Sequence, residues 1–219
     1  MKPEVNPPRR YESPQRQEAA RETRTAILAA ARELFLAQGY AATRMPMIAA
    51  AARVNVDTIY SSIGRKPDLV RLLLETAISG AEEPVPAPQR VYVQEIQAEP
   101  DARRKLVRYA RAVREIQARL TPMVAVLREA AIGEPALAEL WASISQRRAE
   151  NMRLFAAELL ATGSLREGLE VEAVADIIWA TNGPEFYSLL VIERGWDAAR
   201  FEAWLADAWA RLLLASDEA

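Results

Sequence analysis

The sequence has 219 residues, 51% hydrophobic and 26% charged, which allows one large domain or two small ones with a well-filled core. It contains no cysteine and no histidine, which excludes disulfides, thiolate nucleophiles, Cys-ligated zinc, the Ser-His-Asp triad and most transition-metal sites. The net charge of −2 is unevenly spread: residues 1–80 hold 12 Lys and Arg against 8 Asp and Glu (+4), and the remainder 16 against 22 (−6), so only the N-terminal third has a charge suited to a polyanion.

In chain order, residues 1–17 hold Pro3, Pro7, Pro8 and Pro14 with little apolar content, and read as a disordered arm. They lack an apolar run of signal-peptide type, and no later stretch of membrane-spanning length is free of charge, so a cytoplasmic location is expected, with no membrane partner. Arg9, Arg10 and Arg16 would suit a minor groove, but Glu4, Glu12 and Glu18 dilute them and favour a solvated tail. From Glu18 a helical stripe of Ile27, Ala31, Leu34 and Phe35 predicts a first helix ending at Gly39. Thr43 is placed to cap a second helix over 44–52, with Pro46 tolerated in its first turn. Arg53 and Val54 make a tight turn, and Asn55 caps a short third helix that stops at Gly64. In that helix Val56, Ile59, Tyr60 and Ile63 form an apolar face, leaving Asp57, Thr58, Ser61 and Ser62 on the other. Pro67 and Asp68 open a fourth helix that runs to about residue 81.

GAEEPVPAPQ (80–89) reads as a linker. Beyond it the pattern is helical over 90–98, 101–119, 122–132, 135–162, 171–192 and 197–215, with Pro122 among the expected breaks. No repeat and no sustained alternation occurs, so the fold class is all-α: an arm over 1–17, a helix-turn-helix domain over 18–80, and a larger helical domain over 81–219.

Two short helices joined by a tight turn have the plan of a helix-turn-helix, whose second helix enters the major groove of double-stranded DNA. Asn pairs with adenine, Asp accepts from cytosine, and Ser and Thr adapt to several bases, so the polar face of the third helix suits base edges. Arg44, Arg65 and Lys66 stand beside helix N-termini and suit phosphate. The alternative is an ordinary helical corner with its capping residues.

Residues 24–80 resemble the DNA-binding domain of TetR-family transcriptional regulators, through Gly39, Tyr40, Thr43, Ile48, Ala49, Ala52, Val54, Ile59, Tyr60, Lys66 and Leu69. Arg53 departs from the usual turn Gly, Asn55 from the usual Ser, Ile63 from an aromatic and Arg65 from Ser. The resemblance implies that Thr43, Tyr60 and Lys66 meet phosphates and that Asn55, Asp57, Thr58 and Ser61 face bases; Arg53 could reach a phosphate from the turn. It further implies a homodimer through 171–192 and 197–215, whose aromatics (Trp179, Phe186, Tyr187, Phe201, Trp204, Trp209) serve as interface or core. Residues 90–192 would house a small, largely apolar effector of unknown identity. By pattern, the candidate lining residues are Tyr109, Met123, Leu127, Trp141, Met152, Phe155, Trp179, Asn182 and Phe186. Asn182-Gly183-Pro184-Glu185 interrupts an apolar helix and marks a cavity or a kink. The reading is a regulator, more a repressor than an activator, with no catalytic residue, metal or cofactor; a ligandless architectural binder and a carboxylate-based helical enzyme are the alternatives.

Overall fold

The computed structural model describes residues 14–215. Ten α-helices follow in order among them: α1 (Pro14–Ala42), α2 (Met45–Ala52), α3 (Val56–Ser62), α4 (Lys66–Ser79), α5 (Val91–Ala98), α6 (Ala102–Ala131), α7 (Pro135–Leu160), α8 (Val171–Thr181), α9 (Pro184–Tyr187) and α10 (Ala198–Leu213). A 3₁₀ turn (Ala87–Gln89) precedes α5 and a π-helical segment (Ser188–Glu193) extends α9. The all-α class is thus the observed one. Among the described residues a single antiparallel bridge, Leu165 to Leu214, closes the end of α10, with Arg166 N–H donating to the Leu213 carbonyl at 2.9 Å.

The first helices form because their apolar residues fall on one side. Ile27, Leu28, Ala31 and Phe35 of α1, Met45, Ile48 and Ala49 of α2, and Ile59 of α3 are all buried. The α1 path breaks at Gly39 (φ 79°, ψ 172°), and the last residues of the element turn toward α2. A Cβ on Gly39 would stand 3.1 Å from the Glu129 carboxylate, so both the positive φ and the close approach call for glycine.

Helices α6 and α7 are the spine of the molecule. Their adjoining halves (Leu120, Met123 and Leu127; Leu137, Leu140 and Ile144) share one core with α1–α4. Their other halves share a second core with α8 and α10, around Leu106, Phe155, Ile178, Phe201 and Trp209. This places the first four helices on one end of the spine and leaves a space between α4, α5, α6 and α7.

Three expectations about elements are corrected. The first helix starts at Pro14, not Glu18, because proline is tolerated in a first turn and Arg21 pairs with Glu18 at 2.6 Å along it. Residues 14–17, Arg16 included, are therefore helical, and Arg9 and Arg10 lie outside the described residues. Pro122 does not end a helix: α6 runs through it for 30 residues. The backbone bond it removes is outweighed by the burial of Leu120, Thr121, Met123 and Val124 against neighbours on either side. Finally, the 171–192 segment is not continuous; it breaks at Asn182-Gly183 and ends as a π-helix.

Candidate nucleic-acid interface and internal cavity

Helix α3 is held by its inner side. Ile59 is fully buried, with Val56 and Ile63 half-buried against the same core. Tyr60, expected on that face, is instead 50% exposed, because i+4 from a half-buried Val56 lies at the rim of so short a helix. Asn55 caps the helix as expected, its side-chain oxygen accepting from Asp57 N–H at 3.1 Å. That bond takes one of the oxygen's two lone pairs and holds the side chain at the helix start, leaving the amide NH₂ free to donate. Ser61 and Ser62 both donate to the Thr58 carbonyl, at 3.2 and 2.6 Å, which leaves their oxygens as acceptors. Asp57 is exposed and Thr58 half-buried, and neither side chain has a hydrogen bond or ion pair among the described residues.

The flanks of α3 are fixed by two turns. Arg53 ends α2 in the left-handed region (φ 56°, ψ 41°), its N–H donating to the Ala49 and Ala50 carbonyls, so a residue other than glycine holds a glycine position. Its side chain is exposed, as are those of Arg44 and Arg65. After α3, Gly64 has φ 122°, and a Cβ there would stand 2.6 Å from Asp68 Oδ2. That carboxylate accepts from Arg65 N–H at 2.8 Å and so fixes the start of α4.

One expected contact is corrected by its surroundings, and the place of a second is fixed by them. Thr43 is fully buried and is not the cap of α2; Arg44 takes that position. The Thr43 hydroxyl donates to the Gly39 carbonyl at 2.8 Å and accepts from Gln38 at 3.2 Å, so it ties the α1–α2 corner together from inside. Lys66 is half-buried, with Nζ 3.9 Å from the centre of the Tyr40 ring. Burial lowers its affinity for a proton, and Glu134 and Glu129 act the other way. Tyr40 in turn donates to Glu134 at 3.4 Å, and burial with that carboxylate nearby pushes its pKa up to about 12.

The space between the helices is a cavity of about 610 Å³. Its walls come from α4 (Glu75, Ile78), the 84–90 connector, α5 (Tyr92, Val93, Ile96), α6, α7 and the Asn182–Pro184 break. Five of the nine expected residues line it: Tyr109, Trp141, Met152, Phe155 and Asn182. The other four do not. Met123 and Leu127 are buried in the core beneath α1–α4, on the half of α6 that packs against those helices. Trp179 lies under the Arg148 guanidinium, 4.5 Å from its ring centre, and Phe186 stacks on Trp204 at 5.6 Å.

One end of the cavity is polar. Thr121 donates to Gln117 at 3.0 Å, Gln117 donates to the Asn182 carbonyl at 2.6 Å, and Asn182 Nδ2 donates to Tyr109 Oη at 2.9 Å. The Tyr109 hydroxyl also meets Met152 Sδ at 3.3 Å, and its complete burial raises its pKa far above the ordinary phenol value. Sequence reasoning missed Arg148, Gln117 and the connector wall of Pro84–Pro88. Gln117 and Arg148 carry no signal that sets them apart from other polar residues of long helices, and the connector over 80–89 read only as a linker.

Comparison with known proteins agrees with this architecture. Residues 27–72 match the family model of bacterial regulatory proteins, tetR family. Three solved structures superpose on most of the chain. NalD of Pseudomonas aeruginosa, the secondary repressor of the MexAB-OprM multidrug efflux pump, is 23% identical over 90% of this chain and 98% of its own, with a TM-score of 0.68. A candidate regulator from Saccharomonospora viridis in complex with choline is 20% identical over 91% and 100%, with a TM-score of 0.67. A candidate TetR-family regulator from Rhodococcus sp. is 20% identical over 88% and 98%, with a TM-score of 0.66. No curated protein sequence is similar enough to match.

Proposed function

We propose that this chain, whose residues 27–72 are a tetR-family DNA-binding domain and whose fold is that of TetR-family transcriptional regulators, is a dimeric repressor that an effector in the internal cavity releases from its operator. The observation that carries this reading is α3: its inner side is locked by Ile59, and its outer side offers Asp57, Thr58 and Ser61 between exposed arginines. Arg44, Arg53 and Arg65 hold the helix against phosphates, which positions it without reading sequence. Asp57, Thr58, Ser61 and the Asn55 amide then meet base edges. Tyr60 and Lys66 act at the backbone. The buried Thr43 contributes through the corner it ties.

One such helix reads few base pairs, so two copies must act about a two-fold axis. The surface that suits pairing is the outer side of the last elements. Trp204, Ala208 and Leu212 follow one stripe of α10, and Leu189 and Ile192 stand exposed on the neighbouring π-helical segment. Phe201 and Trp209 are fully buried within the chain and belong to its core, not to that surface.

The release step follows from where the cavity lies. Glu75 and Ile78 of α4 form part of its wall, and α4 begins directly after the Gly64 turn that ends α3. Glu75 pairs with Arg147 of α7 at 2.9 Å, and Arg119 of α6 donates to the Ala77 carbonyl at 3.1 Å. An effector that fits better when α4 is displaced shifts the population toward a dimer whose recognition helices miss the half-site spacing. A small molecule of apolar body suits the walls, and a cavity of this size falls in the ordinary range of ligand pockets.

The test is fluorescence anisotropy on DNA from upstream of the gene, with a scrambled competitor and a salt series. Binding that survives the competitor, and that Thr58→Ala weakens more on the specific site than on the scrambled one, is the expected result. Equal losses on both DNAs would remove Thr58 from base reading, and binding that vanishes steeply with salt on both would leave only phosphate attraction.

A further inference from the structure

The polar end of the cavity is incomplete as it stands. Two buried side-chain atoms of its lining residues, Arg148 Nε and Asn182 Oδ1, and Trp179 Nε1 behind them lack any hydrogen-bond partner among the described residues. Native interiors leave few such atoms, and each one asks for a partner. They are neighbours, since the Arg148 guanidinium covers the Trp179 ring and reaches Gly183, next to Asn182. Arg148 and Asn182 line the cavity itself.

The charge of Arg148 is answered only at a distance, by the Glu185 carboxylate across Gly183. Among the described residues no carboxylate lies within ion-pair distance of it, and Glu185, whose charge it feels, is tied to Arg128. The other charged groups on the wall have partners: Arg147 with Glu75 at 2.9 Å, Glu158 with Lys105 at 3.5 Å, and Arg90 with the Val85 carbonyl at 2.9 Å. Glu150 accepts from Gln146 at 3.2 Å. A half-buried guanidinium beside an apolar space, with a donor to spare, is a site for an anionic oxygen. The wall also offers an apolar run, Phe155, Ile96, Val93 and Leu154, set among polar groups that include Ser145, Asn151 and Gln97.

We infer that the effector is an amphiphilic carboxylic acid, its carboxylate on Arg148 and its hydrocarbon body along the α5–α7 wall. This rests on the cavity being the effector site, as proposed above. The Arg148 guanidinium donates to the carboxylate, and its Nε–H and the Asn182 Oδ1, both closed to solvent in the free protein, come into reach as the two side chains shift on binding. The same guanidinium disfavours a cationic ligand.

The experiment measures binding of three probes of equal chain length, decanoate, decanol and decyltrimethylammonium, to the full-length dimer by calorimetry, and their release of labelled DNA. Decanoate is expected to bind on the order of tenfold more tightly than decanol, the range of a hydrogen bond to a charged group, and the ammonium weakest of all. Arg148→Met should bring the acid and the alcohol to equal affinity, leaving decanol unchanged, and Arg148→Lys should restore part of the difference. Acid and alcohol binding equally to the wild type, or a preference for acid that survives Arg148→Met, would overturn the assignment of Arg148 and leave the cavity as the effector site. Binding by none of the three would overturn both. The wild-type series decides by itself if Arg148→Met does not fold.

Discussion

Arg53 shows how one residue can be set by two demands. The turn between α2 and α3 asks for a positive φ, and the chain meets it with arginine at φ 56°. Arg53→Gly should therefore stabilise the protein by about 1 kcal/mol in urea unfolding, since glycine adopts this conformation without the Cβ clash. The same change should flatten the salt dependence of operator binding by about one phosphate contact. Greater stability with an unchanged salt slope would mean that the guanidinium never reaches DNA. Tyr40 makes a second residue-scale prediction. Its phenol, at about 12 when folded against about 10 when unfolded, keeps its proton over that interval only in the native state. Stability should thus be complete below pH 10 and fall as pH rises toward about 12. Tyr109 and Tyr187 are shifted upward by burial too, so the measurement is the difference between wild type and Tyr40→Phe in the urea midpoint from about pH 9 to about pH 11. An identical decline in both would take Tyr40 out of the account.

At the scale of elements, periodicity, the Asn55 cap and the first-turn prolines Pro46 and Pro67 carried the sequence reading, and Pro122 and Thr43 misled it. Asn55 and Gly64 bounded α3 because a short polar cap and a positive φ are local demands that any fold must meet. Pro122 misled because its local cost, up to about 3 kcal/mol, is outweighed by packing that no local pattern displays. Pro122→Ala should accordingly raise the thermal midpoint, since it restores the missing N–H to α6 while Leu120 and Met123 keep their packing. A lower midpoint would mean that the ring itself fills space in the core. Thr43 failed for the same kind of reason: its position looked like a cap, and only the burial of the corner shows that its hydroxyl turns inward to Gly39. The cavity was legible in outline from Tyr109, Met152 and Asn182. Gln117 and Arg148 were not, because a polar residue on a long amphipathic helix reads as solvent-facing until another helix is placed over it.

The whole molecule is two cores strung on α6 and α7, and this continuity is what lets an event in the cavity reach α3. Met123 and Leu127 sit in the same core as Ile48 and Ile59, so the spine packs into the core that holds the recognition helix. Pairing adds the second constraint. Ile192→Glu places a charge on the exposed outer side of the π-helical segment, and should convert a dimer to monomer in light scattering with loss of tight operator binding. A dimer that persists with unchanged affinity would move the interface elsewhere on the chain. The central claim, two recognition helices acting as a fixed pair on DNA, is tested most directly by hydroxyl-radical footprinting of the upstream DNA. The account predicts two protected patches related by a two-fold axis, about one helical turn (roughly 34–36 Å) or a multiple apart, bound by at least one pair of protomers and lost together when an effector is added. A single unpaired patch, or uniform protection without symmetry, would contradict it.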